Sequence, residues 1–291
     1  MKLRTLHKKL IRRLPRHERL FTAAIELSGQ VFRTPMINGS MCDVSEPWMV
    51  ELLGRLLPAR AGMFCDCGVN IGQTLIAVKA ADPTRRYIGF EPNAECVAYV
   101  EKLIAVNRLS DVLIVPVGLA EATGLRKLQL YHGSTSDPSA SLVEGFRPGE
   151  AIDATKLVPV MRFADVEEFV ALPDLGLVKI DVEGAEVEVI SSMRDALSKF
   201  KPWLIVEILP CYTANNVARL DRQRKIEAMM RDEQYVMFRI FKTQSGALHG
   251  LTEIQEIGIH GSLELSDYVF CPKDDVHALA SAVKTKNCSA S

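Results

Sequence analysis

From Met63 to about residue 210, short apolar runs alternate with longer amphipathic ones. The segments "MFCDCG", "RYIGFEP", "VLIVPVGL", "LVKIDVEG" and "PWLIVEIL" have strand length, and helical patterns fill 72–81, 94–107 and 185–199. Nearly continuous apolar strands separated by helices predict a parallel sheet covered on both faces. Residues 120–160 break this rhythm. There "LRKLQLYHG" and "KLVPVMRF" read as strands around "STSDPSASLVEGFRPGE", an inserted hairpin or flap over the strand ends. After Pro210 the pattern predicts a helix near 216–232, two final strands in "YVMFRIF" and "DYVFCP", and a frayed tail.

Upstream, Leu3, Leu6, Leu10 and Leu14 form a stripe among basic residues, so residues 1–30 read as helix, broken or restarted at Pro15. "FRTPMINGSMCDVSEP" reads as an irregular connector, and "WMVELLGRLL" as a helix ending before Pro58. The expected organisation is a basic helical extension and connector over 1–46, a main domain over 47–272 and a tail over 273–291.

At 291 residues and 48% hydrophobic content, the chain has enough apolar side chains for one large core. The formal charge of −1 hides an asymmetry. Residues 1–20 hold eight Lys or Arg against Glu18 alone, so the remainder carries about −8. An acidic body without a basic, aromatic-lined groove argues against a nucleic-acid partner. The basic segment, through Lys8, Lys9, Arg12, Arg13 and Arg16, invites contact with anionic lipid; the alternative is a plain solvated helix packed by its leucines. No run is long and apolar enough to span a bilayer and no signal-peptide block is present, so a cytoplasmic location, peripheral at the inner membrane face, is expected. Seven scattered cysteines without CxxC spacing fit a reducing compartment, with Cys65 and Cys67 as small buried hydrophobes pointing away from Asp66.

"DCGVNIG" stands where an open parallel sheet binds ligands, between a strand's carboxyl end and the next helix. Taken alone, this glycine turn is as consistent with a tight loop as with a ligand cradle. Gly68 and Gly72 permit close backbone approach, free N–H groups at the helix start favour a carboxylate or phosphate, and Asp66 suits a cationic group. Glu91, about 20 residues beyond the turn, is placed to accept hydrogen bonds from a ribose. The loop has neither the dinucleotide glycines nor a Gly-Lys-Ser/Thr ending. A ligand with a ribose, an amino group and a carboxylate but no phosphate is S-adenosylmethionine. A second acidic cluster, Asp181, Glu183, Glu186 and Glu188 in "VKIDVEGAEVEVI", follows an apolar strand; Glu186 alternatively caps the next helix.

"FCDCGVNIGQT", "GFEPN", "VNRL", "SASL", "VKIDVEGAEVEVI" and "PWLIVEI", in this order, resemble the FkbM family of S-adenosylmethionine-dependent methyltransferases over about residues 47–272. The resemblance implies an α/β, Rossmann-like class I methyltransferase sheet of seven mostly parallel strands, the last antiparallel, with helices on both faces. It implies methylation of a hydroxyl oxygen, on a sugar, a glycan or another secondary metabolite. By motif it places Asp66, Gly68, Asn70 and Gly72 around the methionine part, Glu91 on the ribose and Asp181 near the methyl centre. Pro92 and Asn93 after Glu91, and Val117 and Gly118 at the end of the third strand, complete the expected cofactor set. Cys67 and Val69 depart from the family's usual Asp-Val-Gly-Ala-Asn turn, with small residues retained.

Methyl transfer to oxygen needs the acceptor positioned within roughly 3–3.5 Å of the methyl group and a base for its proton, the latter adding ~100-fold to 10,000-fold. The expected catalytic acids are Asp181, Glu183 and Glu207, with His132 in the flap as an alternative base. No metal is expected, although the same three acids are oxygen donors of the kind a hard cation such as Mg²⁺ uses. The rival readings are a methyltransferase for a small metabolite or protein side chain, and a non-catalytic cofactor-binding scaffold in glycan assembly.

Overall fold

The computed structural model describes residues 22–37, 39–170 and 172–284. Strands β1 (Thr22–Leu27) and β2 (Gln30–Ile37) form an antiparallel hairpin across Ser28 and Gly29, at φ 50° and 75°, a two-residue turn whose twist suits the strands. β3 (Ser40–Met41) pairs with β2. The helical reading of residues 1–30 therefore fails from Thr22 onward. Exposure alternates residue by residue along β1, and Ser-Gly is a turn signal. The supposed connector likewise holds part of β2 and all of β3. The basic segment 1–20 lies outside the described residues.

Helix α1 (Pro47–Ala59) opens with Pro47, where the missing N–H costs nothing, and buries Trp48, Met49, Leu52, Leu53, Leu56 and Leu57. It continues through Pro58 because a proline in the last turn removes one bond only, and the Arg60 N–H closes the helix on the Leu56 carbonyl at 2.9 Å. Then follow β4 (Phe64–Cys67), α2 (Gln73–Ala81), β5 (Tyr87–Phe90), α3 (Ala94–Asn107) and β6 (Val112–Val115), as the pattern predicts. β7 (Gly118–Leu119), β8 (Gly124–Leu130) and β9 (Ala154–Met161) form a separate sheet in the order β7-β9-β8, and residues 131–153 between the last two make the flap.

After a short α4 (Phe163–Glu167) come β10 (Leu177–Ile180), α5 (Glu186–Ser192), α6 (Arg194–Phe200), β11 (Trp203–Glu207), α7 (Val217–Asp232), β12 (Tyr235–Lys242), β13 (Leu248–Ile254), β14 (Asp267–Pro272) and α8 (Val276–Val283). The helix expected over 185–199 is interrupted at Met193, whose ψ of 2° is not helical. Within the expected tail, α8 packs on α1 through Leu279.

The main sheet has the order β13-β12-β14-β11-β10-β4-β5-β6. It is mixed and eight-stranded, which corrects the expected seven. β6, β5, β4, β10 and β11 are parallel; β14 runs antiparallel between β11 and β12, and β13 adds an antiparallel edge. Alternation along the strands sends Cys65, Cys67, Ile88, Val178, Ile180 and Val206 to a core beneath α5 and α7. Phe64, Tyr87, Leu177, Ile205 and Val269 face α1 and α2. The same two-residue period carries this second face on to Asp66, Lys179, Asp181, Glu207 and Asp267, so a charged layer succeeds the apolar one near the strands' carboxyl ends.

Candidate active site

A cavity of about 290 Å³ opens at those carboxyl ends. Its floor is the turn after β4. Gly68 stands at φ +89°, and a Cβ there would lie 1.9 Å from the Asp181 carbonyl oxygen, so only glycine lets this turn pass beside β10. Asn70 is also left-handed, at φ 49°. The Asn70 and Asn93 N–H groups each donate to one oxygen of Glu91, both at 2.8 Å. Each Glu91 oxygen keeps acceptor capacity, as a ribose diol requires. Burial pushes the Glu91 carboxyl up to about 7, against the pull of those two N–H groups.

Of the expected cofactor residues, Gly68, Asn70, Glu91, Pro92, Asn93, Gly118 and Asp181 line the cavity. Three do not. Gly72 caps α2 at φ +87° and packs against Leu103. Val117 belongs to the core under α5 and α7. Asp66 is fully buried beneath the floor, accepting from the Tyr87 hydroxyl at 2.5 Å, with Lys179 Nζ 3.6 Å from its other oxygen. Its partner is this lysine, so the reading of Asp66 as a direct partner for the ligand's cationic group is replaced by a supporting role.

Lys179 Nζ lies 3.0 Å from Asp181 Oδ2 and donates to the Gly68 carbonyl at 3.3 Å. Burial works to lower the lysine's pKa, and Asp181 with Asp66 outweighs it, holding the ammonium charged. Burial works to raise Asp181, and Lys179 together with a hydrogen bond from Glu207 holds its carboxyl below the usual range. Glu207 is the opposite case. Burial, Asp181 and Asp267 push it up to about 11, so at neutral pH it is the protonated partner that donates to Asp181. Glu183 is pushed up to about 7 by burial and Asp181, with Arg147 pulling it back from 2.6 Å.

One oxygen from each of Asp181, Glu183 and Glu207 falls within 4.8 Å of the others. Lys179, Arg147 and the Glu207 proton offset the charge of this cluster. Glu186, in the first turn of α5, accepts from the Gly184 N–H at 2.8 Å, and Glu188 pairs with Arg222. His132 is absent from the cavity wall. Its side chain is 56% exposed and faces Asp137 at 3.3 Å.

Sequence reading missed Lys179, Arg147, Asp137 and Glu46. Lys179 carries a readable signal, a lone lysine in an apolar strand in phase with Asp181. Asp137 organises the flap by accepting N–H groups from Tyr131, His132 and Ser139 at 2.6, 3.2 and 3.0 Å. Val44, Ser45 and Glu46, assigned to the connector, form part of the cavity wall.

The cavity's charge tests its ligand. Five acids (Glu46, Glu91, Asp137, Asp181 and Glu183), the protonated Glu207 and a single lysine line it. That balance fits a ligand bearing a sulfonium and an ammonium, and Glu91 fits its ribose, so the residues present are compatible with S-adenosylmethionine.

Among solved structures, the FkbM methyltransferase from Methylobacillus flagellatus KT is 16% identical at a TM-score of 0.44, covering 72% of this chain and 43% of that one. This chain thus spans less than half of that protein's length. A putative O-methyltransferase from Klebsiella pneumoniae is 11% identical at a TM-score of 0.46, covering 92% and 86%. Fibrillarin from Aeropyrum pernix, in complex with natively bound S-adenosyl-L-methionine, is 11% identical at 0.43, covering 88% and 85%. Comparison with curated proteins finds no match. The sequence profile of the methyltransferase FkbM domain matches residues 66–237. That match runs from Asp66 in β4 to Met237 in β12, more than half of the 291 residues, and on it the chain belongs to the family of FkbM methyltransferases.

Proposed function

We propose that the protein methylates a hydroxyl oxygen of a neutral, polyhydroxylated acceptor such as a sugar or another secondary metabolite, on a sheet of the class I methyltransferase type. S-adenosylmethionine is the methyl donor, and when bound it supplies a methyl group already activated by the sulfonium. Asn70, Glu91, Pro92, Asn93 and Gly118 would hold it in the cavity.

The observation that carries the reading is Glu183, a cavity-lining carboxyl at about 7, the range in which a base works at neutral pH. A hydroxyl must lose a proton as its oxygen forms the new bond. A carboxylate acceptor has none to lose and would be repelled by the acids around it. Asp181 is the weaker base of the pair, since Lys179 and Glu207 occupy it. Glu207 is already protonated. Glu183 therefore takes the acceptor's proton, and Asp181 with Lys179 fixes the charge beside it.

The test is incubation with S-adenosylmethionine carrying a deuterated methyl group and a panel of sugars and polyols, read by mass spectrometry. Label on oxygen, lost when the accepting hydroxyl is replaced by hydrogen and lost in Glu183→Gln, is the expected result. Label on nitrogen, sulfur or carboxylate oxygen would overturn the acceptor class. Cofactor binding without transfer to extracts or pure acceptors would favour the scaffold reading.

A further inference from the structure

The flap does more than cover the cavity. It grips the turn that carries Glu183 at three points. Arg147 Nη2 lies 2.6 Å from Glu183 Oε2, the Ser141 hydroxyl donates to the Glu183 carbonyl at 2.6 Å, and Phe146 lies so close over Gly184 that a Cβ there would meet its ring at 2.5 Å. The turn is a conformation that needs holding, with Glu183 at φ 51° and Gly184 at φ 105°. The grip is itself anchored. Arg219 of α7 donates to the Phe146 carbonyl at 2.7 Å and stacks its guanidinium 4.3 Å from the Phe146 ring.

The geometry points to Arg147 as the positioning residue of the transfer: from the flap it holds one oxygen of Glu183 in an ion pair and leaves the other to the acceptor. The inference rests on Glu183 being the base. It also assigns the flap a specific part, since its Asp137, Pro138, Ala140 and Leu142 line the cavity. The charged groups facing Glu183 are Asp181 on its own turn, Glu186 from α5, Glu207 from β11 and Arg147 from the flap. Arg147 is the cation among them, with Glu150 at 3.4 Å and Arg219 as its own further neighbours. Its removal must make Glu183 harder to ionise.

The experiment uses the full chain with ¹³C-carboxyl-labelled glutamate and needs no acceptor. The Glu183 signal is the one absent from Glu183→Gln, and its midpoint is followed against pH. In Arg147→Gln and in Arg147→Met the midpoint is expected to rise by about one unit or more, with Arg147→Lys restoring most of the difference and affinity for S-adenosylmethionine unchanged. Two neutral variants are used so that one failing to fold leaves the other to decide. A midpoint that stays where it was in either folded neutral variant overturns the assignment. Turnover of Glu183→Gln tests the base itself separately, so the two failures are distinguishable.

Discussion

Glu91 joins cofactor affinity to pH. Its carboxyl is pushed from 4.5 up to about 7, and only the ionised form accepts strongly from a ribose hydroxyl. Affinity for S-adenosylmethionine should therefore climb as pH rises toward 7, by up to about tenfold per unit, and level off above it. Calorimetry between pH 6 and 8 that shows a flat profile would remove the ribose assignment. Without ligand the sign reverses. Between 4.5 and 7 the native Glu91 keeps a proton that the unfolded chain has lost, so its contribution to stability is lost as pH rises through that window. Glu91→Ala should weaken binding by about 10-fold to 100-fold, the ~1.5–3 kcal/mol of hydrogen bonds to a charged acceptor.

The acid cluster separates three roles by substitution. Glu207→Gln retains a hydrogen-bond donor toward Asp181 and should keep most of the turnover, because Glu207 is protonated at neutral pH. Glu183→Gln should lose turnover with little change in cofactor affinity, while Asp181→Asn lowers both. Abolished transfer in Glu207→Gln with normal transfer in Glu183→Gln would exchange their roles. Lys179→Met strands Asp66 and Asp181 without their cation and should cost about 3–5 kcal/mol in chemical denaturation. A variant as stable as the parent would show that Asp66 is held by Tyr87 alone.

At the scale of elements, the parallel strands were legible because strands buried on both faces read as nearly continuous apolar runs. "MFCDC" and "LVKI" need no partner to be recognised. β1, β13 and the two residues of β3 are short or half-exposed, and their pairing depends on distant or turn-directed contacts that periodicity does not display. The site divides in the same way. Gly68, Asn70 and Glu91 sit on one motif with known offsets. Arg147, Glu46 and Asp137 reach the cavity through loops whose paths only the folded chain defines. Asp66 shows the limit most clearly, because an acid in a strand reads identically whether it faces a ligand or a buried lysine.

One element-level consequence is sharp. Gly68→Ala must drive β4 and β10 apart, since the new Cβ would sit 1.9 Å from backbone, whereas Gly72→Ala meets the end of a flexible leucine at 2.8 Å plus the ordinary strain of a left-handed alanine, about 1–2 kcal/mol. Thermal denaturation should show Gly68→Ala severely destabilised and Gly72→Ala moderately so. Equal losses would mean that the turn relaxes freely.

For the whole molecule, the described residues include no helix long and apolar enough to cross a membrane. The contact proposed with anionic lipid concerns the eight basic residues among the first twenty, which lie outside the described residues. Near an anionic surface each is worth on the order of 1 kcal/mol, screened by salt. The full chain should co-sediment with anionic but not neutral vesicles at low ionic strength, and a chain starting at Phe21 should stay in solution while still binding S-adenosylmethionine. Loss of neither property, or of both together, would set the lipid proposal aside.

The position of β14 bears on how the protein is made. Residues 267–272 follow β12 and β13 in sequence and lie between β11 and β12 in the sheet. Until they emerge from the ribosome, β11 has an open edge and the β12–β13 hairpin has no sheet to join. Two unpaired edges are then exposed until residues 267–272 are available to fill the gap. A released chain truncated before Asp267 should be protease-sensitive and aggregation-prone, and one that runs through β14 and α8 should be resistant.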